Sequence, residues 1–220
     1  MKQKRAFTLT ELLVVIAVIA LLLAILLPSL RKARLQAKIL VANAELSDIG
    51  LALEAYGMDH ENKFPPTRAD CDPSGRDHWW AMPQELVKSG YMPGGKAGQS
   101  KKVVFADVED KFNKGFVYKY VAPGPRLDYY GAVETQYLQI SEGFPDRQTE
   151  IYRDYGDPKT SPVTWVIFSL GPKFDQNTMI QDGFPVSKKF WYNPKTGSGI
   201  ITRVRLRDSI NHIGTFRKSR

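Results

Sequence analysis

Few residues of this chain combine a reactive type with a useful spacing. His60, His78 and His212 stand far apart, with no His-x-x-x-His pair and no Cys/His cluster to offer zinc its ligands. No serine lies in a Gly-x-Ser-x-Gly turn, so a nucleophile elbow is missing. Gly94-Gly95-Lys96-Ala97-Gly98 lacks the Gly-Lys-Ser/Thr ending of a phosphate loop and reads as a flexible turn. Glu109-Asp110 falls among lysines and reads as surface charge in a loop. Cys71 is alone, so no intrachain disulfide is available, and it reads as a partly buried loop thiol. No enzyme is expected from these residues. The carboxylate that demands a reason is Glu11, because it sits at the very edge of a long apolar run. An ionised side chain at membrane depth is costly and usually needs a partner.

That run extends from Leu12 to Leu30 and contains no charged residue. As a helix its nineteen positions reach about 28 Å, close to the hydrocarbon thickness of a bilayer. Lys2, Lys4 and Arg5 precede it and mark the amino end as the one kept in the cytoplasm. A cleaved secretory signal would be shorter and end in a small-residue cleavage site, whereas this run ends in Leu27-Pro28-Ser29-Leu30 and then Arg31-Lys32-Ala33-Arg34. A plain signal anchor fits the hydropathy but leaves Glu11 unexplained.

The stretch Lys4-Arg5-Ala6-Phe7-Thr8-Leu9-Thr10-Glu11-Leu12-Leu13-Val14-Val15-Ile16 resembles the class III signal of type IV pilins and type II secretion pseudopilins. The resemblance implies cleavage by a prepilin peptidase between Ala6 and Phe7, with methylation of the new Phe7 amine. The family usually has glycine before the cut, where this chain has Ala6. Glu11 becomes the fifth residue of the mature chain, and Pro28 falls where the family has its helix-kinking proline. A carboxylate facing the amine of an adjacent subunit offsets most of the cost of its burial, so Glu11 would set the register between subunits. Pro28 lacks an amide donor and should kink or loosen the helix.

Beyond the run, Ile39, Ala42, Leu46, Ile49, Leu53 and Tyr56 fall in alternating steps of three and four, the buried stripe of an amphipathic helix. Arg31, Lys32, Arg34, Lys38, Glu45, Asp48 and Glu54 lie mainly off it. One helix of about fifty residues results, with Gly57 as its natural stop. Trp79 to Tyr91 reads as a short helix with Pro83 in its first turn and Gly90 at its end. Trp79 and Trp80 read as packing residues. Strand signals follow at 103–106, 115–121, 135–140, 164–169 and 199–206. Their alternation predicts an antiparallel sheet with one wet face and its dry face on the stripe. The expected fold is therefore α+β. Its divisions are a leader over 1–6, an assembly helix over 7–30, its amphipathic continuation over 31–57 and a globular domain over 58–220.

The formal charge is +8, and removing Lys2, Lys4 and Arg5 leaves 28 basic against 23 acidic residues, or +5. The densest basic clusters are Arg31 to Lys38 and Arg203 to Arg220, read as solvated surface and an anionic-lipid contact rather than a nucleic-acid site. The helix end and Asn62-Lys63-Phe64-Pro65, with Ser169-Leu170-Gly171-Pro172, are similar to major pseudopilins, in which an acidic loop after the latter holds calcium. Here Lys173 stands where aspartate is common and only Asp175 and Asp182 remain nearby, few for an ion wanting six or more oxygens. No cofactor is expected. The resemblance implies an inner-membrane subunit, N-terminus in the cytoplasm, whose partners are copies of itself, other pilin-like subunits, prepilin peptidase, an assembly platform and lipid. Within the family the loop echoes favour a secretion pseudopilus over an adhesive or DNA-uptake pilus. An unprocessed, signal-anchored binding module is the alternative outside it.

Overall fold

The structure is a computed structural model that describes residues 8–67, 82–97, 104–106, 108–113, 117–124, 126–127, 133–134, 158–173, 188–207 and 212–215. Two compact units are present, Met1–Leu40 and Val41–Arg220. Helix α1 (Leu9–Asp59) comprises 51 residues. Leu, Ile, Val and Ala supply it with apolar side chains and every turn with an internal hydrogen-bond ladder. Pro28 lies inside it. The proline withholds one amide from that ladder, and Ser29 Oγ donates to the carbonyl of Leu26 at 2.8 Å beside the gap. The helix does not stop at Gly57. It passes through to Asp59 and turns at Glu61 and Asn62, both in the left-handed region at φ 56° and 59°. Gly57 is needed for a different reason: a Cβ there would lie 2.8 Å from Cζ of Phe64.

The second unit is built on four antiparallel strands in the order β3 (Lys119–Val121), β6 (Val163–Ser169), β7 (Ile201–Leu206) and β8 (His212–Gly214). Tyr120 stands opposite Ile167 and Ile167 opposite Arg203, while Trp165 aligns with Arg205 and Arg205 with His212. These side chains face the helix. At Gly50 a Cβ would meet Nε of Arg203 at 3.0 Å and the Trp165 ring at 3.2 Å, so a glycine inside α1 lets the sheet approach. Ala42, Leu46, Ile49 and Leu53 are buried, as is Ile39, and Tyr56 is half-buried, so the predicted stripe is the helix's dry face.

The expected wet face is absent from the middle of the sheet. Val121, Val166, Phe168 and Val204 point away from the helix into a second cluster with Trp191 and Ile200. The segment 188–200 thus covers that face. It opens with a 3₁₀ turn (Lys188–Phe190) and closes with a tight loop at Asn193–Ser198. The near-continuous apolar run of β6 is the corresponding sequence signal.

The smaller elements are α2 (Gln84–Lys88), the pair β1 (Gly94–Ala97) and β2 (Val104–Ala106), and the pair β4 (Arg126–Leu127) and β5 (Val133–Glu134). Helix α2 starts after Pro83 and ends at Lys88, with Ser89 as its C-cap and Gly90 turning the chain away at φ +79°. The glycine-rich stretch expected as a flexible turn is strand β1. Its backbone pairs antiparallel with β2, and a nearby partner ladder outweighs glycine's weak strand propensity.

Candidate functional site: the N-terminal helix and its anchorage

Ala6 and Phe7 lie outside the described residues. The first described turn explains where the helix begins. Thr8 donates its backbone N–H to Oε2 of Glu11 at 2.8 Å and its hydroxyl to the same oxygen at 2.7 Å. The Glu11 N–H returns to Oγ1 of Thr8 at 3.3 Å. This is a reciprocal capping box, with threonine at the cap and glutamate three residues on. The Thr-x-x-Glu spacing was its signal in the sequence. Both bonds from Thr8 use Oε2, which leaves Oε1 of Glu11 for another donor.

From Leu9 to Leu30 every large apolar side chain is between 46% and 80% exposed. Among the described residues this is one helix long and apolar enough to cross a membrane. Arg31, Lys32, Arg34 and Lys38 follow, all exposed.

Above it, the carboxylates flanking the dry stripe tie α1 to the sheet. Glu45 accepts the hydroxyl of Tyr118 at 2.6 Å and pairs with Nζ of Lys111 at 2.8 Å. Burial first, then the hydrogen bond and charge of Glu45, hold the Tyr118 phenol far above the usual tyrosine range. Glu54 Oε1 lies 2.7 Å from Nε of Arg205 and 3.1 Å from Nε2 of His212. Nε and Nη2 of Arg203 approach Nδ1 of His212 at 3.0 and 2.8 Å. Nδ1 must therefore accept, which places the ring proton on Nε2, pointing at Glu54. His212 is neutral in this arrangement, stacked obliquely on Trp165 at 4.9 Å. Thus His212, isolated in the sequence, joins a four-residue cluster, and Arg203 and Arg205 are helix-facing residues rather than part of a solvated basic tail. His60 stacks on Tyr56 at 3.8 Å, with its Nδ1 2.8 Å from the Tyr56 carbonyl.

Asp110 is not surface charge. It is 1% exposed, and accepts the Ser169 hydroxyl at 2.6 Å and the N–H groups of Phe112 and Leu170 at 2.9 and 3.3 Å. Burial pushes its pKa up, while these bonds and the charge of Lys119 pull it back. Its neighbour Glu109 is exposed, so the two carboxylates divide between core and solvent. No group of three His, Cys, Asp or Glu that could hold a metal occurs among the described residues. Asp175 and Asp182, like Cys71, His78, Trp79 and Trp80, lie outside them, and Lys173 is exposed at φ 55°.

The prokaryotic N-terminal methylation motif matches residues 1–27. The chain is 44% identical over 62 residues to the type IV wide pilus major component PilA4 of Thermus thermophilus, covering 28% of this chain and 47% of that protein. It is 28% identical over 130 residues to the type II secretion system core protein G of Pseudomonas aeruginosa, covering 57% of this chain and 78% of that protein. The chain thus spans about half the length of the first relative and more than three quarters of the second. One is named for a pilus and one for a secretion system, neither for an enzyme. No solved structure matches the chain. With a prepilin-type methylation motif at its start, a long helix whose first part is apolar and an antiparallel sheet packed on its later turns, the chain is similar at its N-terminus to a type IV pilin and over a longer stretch to a type II secretion pseudopilin.

Proposed function

We propose that the chain is a structural subunit of a type II secretion pseudopilus or a closely related filament. In this reading it enters the inner membrane with its N-terminus in the cytoplasm. Prepilin peptidase cuts between Ala6 and Phe7 and methylates the Phe7 amine, and an assembly platform draws the helix into the filament. The observation that carries the reading is the uninterrupted exposure of the apolar side chains from Leu9 to Leu30 behind a methylation motif. Among the described residues nothing covers them, and at about 25 cal/mol per Å² their exposure to water is costly. A bilayer covers them first and sister helices afterwards.

Glu11 then works in two stages. It caps its own helix through Oε2, and its free Oε1 receives the Phe7 amine of a neighbour displaced by four residues, about 6 Å along the helix. Glu11→Ala in the full-length chain, expressed with peptidase and platform, should leave cleavage intact and lower the yield of sheared filaments about tenfold or more. Wild-type filament yield from Glu11→Ala would sink the assembly role.

A type IV pilus subunit is the second reading, favoured by the higher identity to the wide-pilus component over the N-terminal stretch. Deleting the secretion platform and the pilus platform separately decides between them, since filaments should vanish with only one.

A further inference from the structure

Charge along α1 is segregated. No acidic residue occurs between Glu11 and Glu45, and no lysine or arginine between Lys38 and Lys63. Arg31, Lys32, Arg34 and Lys38 are exposed and have no ion-pair or hydrogen-bond partner among the described residues. Most acids of the upper half are engaged: Glu45 by Lys111 and Tyr118, Glu54 by Arg205 and His212, Asp59 by the Tyr91 hydroxyl, and Glu61 by Lys63. Asp48 is the exception. It is exposed and has no such partner among the described residues. On the same helix Leu40, Leu51 and Met58 are 66%, 61% and 80% exposed, large apolar groups that no described residue covers.

We propose that this outer face of α1 docks a second copy of the chain in parallel, with Asp48 of one copy ion-paired to Arg34 of the next. The inference rests on the filament reading. The fourteen residues from Arg34 to Asp48 correspond to an axial displacement of about 21 Å. The apolar residues choose this cation over Lys38, Lys32 and Arg31, since pairing Asp48 with Lys32 would set Met58 against the neighbour's Ala42, which is buried under its own sheet. At a displacement of fourteen, Leu51 falls beside Ala37 of the neighbour and Met58 beside Ala44, large against small, and both alanines are exposed. Pairing Asp48 with Lys38 instead sets Met58 against the neighbour's Asp48. Pairing it with Arg31 sets Leu51 against the neighbour's Arg34. The displacement also exceeds the four residues of the Glu11–amine contact, so the two contacts belong to different neighbours. Glu11 would join near neighbours along the filament, and Asp48 would join more distant ones.

The test uses the full-length chain in cells with peptidase and platform, reading intact mass for processing and sheared-filament yield for assembly. Asp48→Arg and Arg34→Asp should each be processed normally and each lower the yield about tenfold, while the double exchange should return it to within about twofold of wild type. Single variants that assemble like wild type, or a double variant no better than the singles, would overturn the pairing while leaving the filament reading in place. Wild-type chain that is processed but never assembles would overturn both. As an independent measurement, Ala37→Cys with Leu51→Cys in a Cys71→Ser background should give a ladder of oxidised multimers from filaments. A single monomer band from intact filaments would contradict the displacement.

Discussion

Asp110→Ala should destabilise the domain by about 3 kcal/mol, because it strands several buried donors at once. The Ser169 hydroxyl and the N–H groups of Phe112 and Leu170 all end on this carboxylate. Ser169 in turn accepts the Gly171 N–H at 3.1 Å, so the end of β6 loses its fixed exit when Asp110 goes. Denaturant unfolding of the detergent-solubilised chain, followed by tryptophan fluorescence, measures the loss. Asp110→Asn retains an acceptor and should cost less than the alanine. A loss under about 0.5 kcal/mol for Asp110→Ala would return the residue to the surface role its sequence context suggested.

Glu54→Ala is expected to cost about 2 kcal/mol, a value discounted because the carboxylate keeps 21% exposure. The substitution leaves Arg205 and His212, with side chains 16% and 8% exposed, facing an empty position. The same cluster makes the domain acid-sensitive. Burial lowers the His212 pKa below its ordinary 6.5, the charges of Arg203 and Arg205 lower it further, and the hydrogen bond and charge of Glu54 oppose them. The unfolded chain therefore binds this proton more readily than the folded one. His212's contribution is fully present above about pH 6.5 and is lost as pH falls through the folded value. Protonation would place a second proton on Nδ1, against the guanidinium of Arg203. The denaturation midpoint should fall between about pH 7 and pH 5, and His212→Asn should flatten that slope. An unchanged slope in His212→Asn would assign the acid sensitivity to other groups.

The helix was legible because its signals are local and redundant: a charge-free apolar run, then a stripe at steps of three and four that the structure buries from Ile39 to Leu53. Strands β6 and β7 were legible through β-branched and aromatic runs. What escaped depends on partners distant in sequence. His212 and Glu54 meet across 158 positions and Asp110 and Ser169 across 59, distances over which residue type alone does not announce a contact. The covering of the sheet's second face by Trp191 and Ile200 is equally non-local. The helix ran past Gly57 because a glycine shaped by a neighbouring ring looks, in sequence, like a glycine that ends a helix. The capping box was local and readable. Glu11 is at once a carboxylate at the membrane edge and an ordinary capping residue at the end of a helix.

The central claim is that this chain enters the filament pathway through its N-terminus, and the intact mass of the membrane-extracted protein tests it most directly. Expressed with a prepilin peptidase, the chain should lose Met1 to Ala6 and gain one methyl group on Phe7, and without the peptidase it should keep its full mass. A full-length, unmethylated chain in both preparations would contradict the account and leave a signal-anchored domain in its place.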